Sequence, residues 1–324
     1  MIESAELTDI SVPMPWQSVL WGQLQDQINL EKLPHALLLS GPAGTGKNRL
    51  ALALARLLLC QSPKLGHNCG SCHPCEMTRA GTHGDFRWLQ PEEKSRVIKI
   101  DQIRDVIDFG NKTANFGRRK VIVFSPAESM NANAGNALLK ALEEPAADTY
   151  LIMVCHRLHG LSATIRSRTQ LLRFPIPPVV ESLDWLDGLT HKREESEQLL
   201  EFANDRPLQA RQLYLDGGIE TAAAVPAALD ELLSGRGTVP QLSSVLGQVP
   251  LEDALAQLAA YLQRAIRAAQ KTGITMHRTR HFFSVLDEVT RQQQAVLAGS
   301  NPNSQLLLES VLAQLHNQLG DTRA

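Results

Sequence analysis

The chain carries almost no net charge: 32 Lys and Arg against 34 Asp and Glu leave −2 over 324 residues at pH 7. No broad basic field announces nucleic acid, because neutralising phosphates takes clustered Lys and Arg, so any DNA contact must come from a local patch. Long apolar runs are also missing. The longest, LALALARLLL at residues 50–59, is too short to span a bilayer and is interrupted by Arg56. The opening residues, MIESAELTDI, lack the basic start and apolar core of a secretory signal. A soluble, cytoplasmic protein without membrane contact is therefore expected. Cysteine is nearly absent outside one stretch, since four of the five lie between residues 60 and 75. In a reducing compartment such crowding points to metal rather than disulfides. No internal repeat or low-complexity segment is present, and the length allows two or three domains.

What is present falls into two patterns. From about residue 34 to 175, short apolar runs alternate with helical periodicity. HALLLSG, KVIVFS, TYLIMVC and TQLLRF read as strands, with WLQ and VIKI as shorter candidates. Residues 47–60, DQIRDVIDFGNK and ANAGNALLKALEE read as helices. That alternation predicts an α/β fold with a mostly parallel sheet covered on both faces. After PIPP (175–178) the pattern is helical to the end, with breaks at DGG (216–218), SGRGTVP (234–240) and AGSNPNS (298–304). A small helical domain to about residue 217 and a larger helical bundle beyond it are expected. EDALAQLAAYLQRAIRAA and NSQLLLESVLAQLHNQL carry apolar stripes at i, i+3, i+4 and i+7, which suit core or subunit packing.

The stretch SGPAGTGKNRL (40–50) sits between a strand and a helix and places Gly41, Gly44, Gly46 and Lys47 as a phosphate-binding loop requires. The position that normally supplies a hydroxyl to Mg²⁺ is Asn48. Hydrolysis further needs an acidic residue at the end of a neighbouring strand and a group that orients water. Ser125 and Pro126 follow KVIVF instead, and Glu128 lies three residues beyond Ser125, past the expected strand tip. Neither metal-holding position is filled. The loop predicts at most weak ATP or ADP binding, no Mg²⁺ and no catalysis in cis.

Cys60, Cys69, Cys72 and Cys75 form C-x8-C-x2-C-x2-C, a spacing that can close a tetrahedral, structural Zn²⁺ site. Iron–sulfur ligation is the rival, but ferredoxin runs continue with a close fourth cysteine followed by proline, which is absent here. His67 and His73 are surplus to four ligands, and His83 in GTHGD suits a hydrogen-bonding role. Near the last strand, TIRSRTQLLRF (164–174) contains three arginines. Arg166 and Arg173 read as solvated charges. Arg168 stands out because it immediately precedes a strand in a nucleotide-binding pattern, although a lone arginine earns no phosphate role from its chemistry alone.

Together, LPHALLLSGPAGTGK, the cysteine cluster directly after the loop's helix, GTHGDF (81–86), NALLKALEEP (136–145) and Ser167-Arg168 resemble the clamp-loader branch of the AAA+ proteins. The resemblance covers about residues 15–175, with NPNSQLLLESVLAQL as the best echo in the helical remainder. It implies a P-loop domain at 1–175 with a zinc module at 60–75, a helical lid at 176–217, and a helical collar for oligomerisation at 218–324. ATPase members of that family carry Ser or Thr at Asn48, Asp-Glu at Ser125-Pro126, a threonine sensor at Cys155 and an arginine sensor near Leu208. All four depart here. The resemblance therefore implies a non-hydrolysing stator in a five-membered ring with motor (gamma/tau) and delta subunits. Arg168, with Ser167, would be an arginine finger donated in trans, and the ring would load a sliding clamp onto primer-template DNA. By family the chain would belong to a DNA-directed DNA polymerase holoenzyme, a nucleotidyltransferase. An active ATPase using an atypical metal ligand such as Glu128 is the alternative. In NALLKALEEP, the acids Glu143 and Glu144 at a helix C-terminus oppose the helix dipole, which suggests a subunit contact or a solvated end.

Overall fold

The structure, a computed structural model, describes residues 8–92, 95–117, 119–247, 251–272, 276–297, 300 and 302–320. The chain divides into two units, Met1–Ser182 and Leu183–Ala324. Strands β1 (Ala36–Ser40), β2 (Phe86–Leu89), β3 (Lys120–Phe124), β4 (Thr149–Cys155) and β5 (Gln170–Arg173) build the first unit's sheet. Their order is β2-β3-β4-β1-β5, and every neighbouring pair is parallel. All residues of β1 and β3 are buried, as expected of parallel strands covered on both faces, which explains why the sequence shows continuous apolar runs rather than alternation.

Six helices accompany the sheet: α1 (Ser18–Asn29), α2 (Lys47–Leu59), α3 (His73–Arg79), α4 (Ile100–Asn111), α5 (Ala132–Glu143) and α6 (Ala163–Arg166). Successive strand side chains point to opposite faces and seed separate cores. Leu37, Leu39, Val121, Val123, Ile152 and Val154 meet Trp21 of α1 and Leu50 and Leu54 of α2. Leu38, Ile122, Leu151 and Met153 meet Ile103 of α4, Leu138 and Leu142 of α5, and Ile165 of α6.

One expected strand does not form. VIKI (97–100) contributes a single bridge, Ile98 to Met130, and Ile100 already opens α4. The Ile98 N–H donates to Ser129 O at 2.9 Å and its side chain is fully buried, while Gln102 Oε1 accepts from the Lys99 N–H at 2.9 Å and caps the helix start. Capping has overridden the β-branched composition.

In the second unit the regular elements among the described residues are all helices. α7 (Val179–Thr190) crosses the division and is followed by α8 (Arg193–Phe202), α9 (Pro207–Leu215), α10 (Gly218–Leu233), α11 (Val239–Leu246), α12 (Leu251–Thr272), α13 (Met276–Leu297) and α14 (Ser304–Gly320). A small core gathers Leu186, Leu199, Leu200 and Ala210, and a larger one runs from Val225 to Leu315. DGG and SGRGTVP separate helices as expected, while the AGSNPNS break lies partly outside the described residues. No helix among the described residues is long and apolar enough to cross a membrane.

Candidate functional site

The Gly-rich loop runs from the end of β1 into α2. Two of its glycines are dictated by space. A Cβ on Gly41 would lie 2.0 Å from Phe174 O, and one on Gly46 would lie 2.6 Å from Met14 Cγ. Gly46 also has φ +92, the left-handed region that favours glycine. The segment before α1 is fastened to the loop, since Trp16 Nε1 and Gln17 Nε2 both donate to Thr45 O, at 3.0 and 3.1 Å. Lys47 is buried and its ammonium donates to the loop's own carbonyls at Gly41 (2.7 Å) and Pro42. Burial lowers its pKa to about 8, opposed by the nearby Glu128 and Cys155. The charge that would meet a phosphate therefore caps loop carbonyls.

The two positions that lack their metal-holding residues are brought together as neutral groups. Ser125 Oγ donates to Asn48 Oδ1 at 2.7 Å across 77 positions of sequence. Glu128 lies beyond the end of β3, as expected. It lies in a 3-10 turn, Ala127–Ser129, and its Oε1 accepts from the backbone N–H groups of His156 (2.9 Å) and Arg157 (3.2 Å). The carboxylate thus ties the end of β3 to the end of β4. Cys155, in register with Ser40, is buried, and burial pushes its thiol up to about 12. His156 is held down to about 4 by burial, with the Lys47 charge adding to the effect, so it is neutral near pH 7. Leu208 lies in α9, an apolar side chain with no charge to offer a phosphate.

The four clustered cysteines converge. Cys60 is the residue that ends α2, Cys72 occupies the N-cap position of α3, and Cys75 follows three residues later on the same side of that helix. Cys69 comes from the connecting loop, just before Gly70 at φ +77. The four sulfurs lie within 4.8 Å of one another, with Cys60–Cys72 and Cys69–Cys75 both at 3.9 Å. A Zn–S bond of about 2.3 Å in a tetrahedron requires sulfur separations of about 3.8 Å, so the cluster can hold that ion. Backbone N–H groups already face the sulfurs, Cys69 to Cys60 at 3.2 Å and Cys72 to Cys69 at 3.3 Å. The Ser71 N–H leads in lowering Cys69 to about 5, whereas burial raises Cys60 to about 12. His67 stacks on Trp21, and His73 meets the edge of Phe116, so both have packing roles. His83 Nδ1 accepts from the Asp85 N–H at 3.0 Å, the hydrogen-bonding role its setting suggested.

Arg56 was visible in the sequence only as an interruption of an apolar run, yet it staples this module to the chain before α1. It is 1% exposed. Nη1 donates to Thr8 O (2.6 Å) and Ser11 Oγ (2.7 Å), Nη2 to Asp9 O (3.0 Å), and Nε to Thr78 Oγ1 (3.3 Å). Asn68, inside the cysteine loop, reinforces the same segment through the Ser11 N–H and Asp9 O, both at 2.9 Å. Arg56→Met keeps much of the volume but strands these acceptors. It is expected to destabilise the first unit by about 3 kcal/mol, read as an earlier first transition in urea unfolding. An unchanged midpoint would show the staple to be dispensable.

Arg168 lies far from the loop in the sequence. It follows α6, with its N–H donating to Ile165 O at 3.1 Å. Its Nε and Nη2 reach one carboxylate oxygen of Glu143, at 2.7 and 2.6 Å, and Nη1 donates to Thr164 O at 3.1 Å. Its side chain remains 35% exposed. Glu143, the last residue of α5, is thus occupied by an arginine of its own chain, which accounts for an acid at an unfavourable helix end.

A family model described as DNA polymerase III, delta subunit matches residues 16–178. The chain is 37% identical over 318 residues to DNA polymerase III subunit delta′ of Pseudomonas aeruginosa, covering 93% of this chain and 96% of that one. It is 31% identical to the subunit delta′ of Yersinia pestis, over 95% of this chain and 88% of the relative. Among solved structures, a DNA polymerase III gamma subunit-related protein from Thermotoga maritima aligns with a TM-score of 0.52 at 22% identity. That alignment covers 92% of this chain and 99% of the other, and it is a likeness of fold.

Proposed function

The chain belongs to the DNA polymerase III delta′ family, and on that premise we propose that it is the non-hydrolysing stator of a clamp loader. In this reading the second unit supplies a lid and a collar that join motor and delta subunits in a five-membered ring. The ring opens a sliding clamp and places it on primer-template DNA. Arg168, with Ser167, acts on the ATP of the adjacent motor subunit, stabilising charge that builds on the transferred phosphoryl group. The cysteine cluster holds a structural zinc.

The observation that carries the non-hydrolysing part is the Asn48–Ser125 hydrogen bond. Two neutral groups satisfy each other where a hydroxyl and a carboxylate would have to face a metal. The alternative ligand, Glu128, has its Oε1 committed to two backbone N–H groups. The isolated chain is therefore expected to show no magnesium-dependent ATP turnover. Asn48→Thr alone should not create it, because Ser125 still brings no charge. Phosphate release that requires Mg²⁺ and disappears on Lys47→Ala would overturn the stator reading.

A further inference from the structure

We infer that Glu143 is a positioning residue for Arg168, fixing the guanidinium so that it reaches a neighbouring phosphate already oriented; the inference rests on the arginine-donor reading above. An arginine used in trans carries a cost. Its side chain is long and flexible, and a catalytic group works best when its geometry is set before the reactants meet. Here two elements set it. Glu143 closes α5 and Thr164 lies in α6, and the two helices share one core through Leu138, Leu142 and Ile165. The Glu143 carboxylate takes the Nε edge of the guanidinium, at 2.7 Å from Nε and 2.6 Å from Nη2. Thr164 O takes Nη1 at 3.1 Å, with Ser167 Oγ at 3.4 Å. The plane is therefore held from two sides.

The second Nη2 hydrogen of the five-donor guanidinium is not used by this frame, and the side chain is still one-third exposed, so the group can present an N–H outward. Arg166 and Arg173, on the same stretch, have no carboxylate partner among the described residues. The frame singles out Arg168. The same contact could instead be a restraint that keeps the arginine from phosphate. The two roles predict opposite signs.

The test uses the assembled ring with clamp and primed DNA, following ATP hydrolysis at the site next to this subunit. Glu143→Ala is expected to lower kcat by about tenfold while the KM for ATP stays within about twofold, as loss of a supporting contact does. Glu143→Gln, whose amide oxygen still accepts from Nε, should recover part of that loss. Thermal unfolding of the free chain should be nearly unchanged in both, since an exposed pair contributes little to stability. An Glu143→Ala ring that hydrolyses at the wild-type rate or faster, while Arg168→Ala is slow, overturns the positioning role and leaves the donor reading standing. If Arg168→Ala is itself without effect, the donor reading falls and this inference with it.

Discussion

Replacing Arg168 by alanine is expected to slow ATP hydrolysis at the adjacent motor site by about 10³-fold or more, the range seen when an arginine is withdrawn from a transferring phosphoryl group. The effect should appear only in the assembled ring, because in the proposed reading the residue acts on a nucleotide held by another chain. It is best read in a ring whose remaining motor sites have lost their own phosphate-loop lysine, so that one site dominates the signal. Ring assembly itself should survive, since among the described residues the side chain's hydrogen bonds go to Glu143, Thr164 and Ser167 of its own chain. Arg168→Lys should recover little. An ammonium is a point charge and cannot hold the Glu143 carboxylate with one edge while offering phosphate another N–H from the same plane. A ring that assembles with Arg168→Ala and hydrolyses at the normal rate would exclude the arginine as donor.

This expectation gives the degenerate loop a different purpose. Gly41 is required by the close approach of Phe174 O, Gly46 by Met14 and Gln17, and Lys47 by the carbonyls of Gly41 and Pro42. Gly41, Gly46 and Lys47 each have a structural use in this chain that needs no nucleotide. The positions that depart, Asn48 and Ser125, are those a metal would use, and they satisfy each other. Ser125, the buried member of the pair, thus keeps a hydrogen-bond partner, which is the condition under which a polar group there costs little stability.

How much of this was legible in the sequence depended on how local the determining interactions are. The strands KVIVF and TYLIMVC, the loop between β1 and α2, and the cysteine spacing are written in runs of a few residues, and all appear where expected. VIKI forms no strand because the cap between Lys99 and Gln102 outweighs its three β-branched residues. The role of Glu143 needed a contact 25 positions away, and that of Asn48 one 77 positions away. No periodicity reports such pairings. Arg56 is the sharpest case: a charge on an Ala- and Leu-rich helix gives no sign of which acceptors surround it, since those acceptors are backbone oxygens of residues 8 and 9 and two hydroxyls. Family resemblance marked Arg168 as important, but its carboxylate partner emerged only from geometry.

The second large effect concerns the cysteines. The purified chain is expected to carry about one zinc ion, and Cys72→Ser to reduce that to near zero with a pronounced fall in the first unfolding temperature. A structural zinc contributes about 10 kcal/mol or more of apparent binding free energy in small metal-folded modules, so one lost ligand is felt as lost folding energy. Cys72 is the informative choice because it does three things at once. Its sulfur lies 3.9 Å from that of Cys60, its N–H donates to Cys69 Sγ, and it occupies the N-cap position of α3 without a side-chain cap. The backbone contacts survive the serine substitution, so a fall in stability isolates the sulfur's part. Cys155→Ser is the control. That thiol sits at the end of β4, outside the cluster, and its replacement should leave the metal content untouched. Disruption should spread along identifiable contacts. Asn68 links the cysteine loop to residues 9 and 11, and Arg56 links α2 to the same segment and to Thr78. Chelation is therefore expected to expose residues 60–79 and the stretch before α1 to protease together, while β3 and β4, at the centre of the sheet, remain protected. Full metal content in Cys72→Ser, or an iron–sulfur absorption spectrum in place of zinc, would show the cluster to be something other than a closed zinc site.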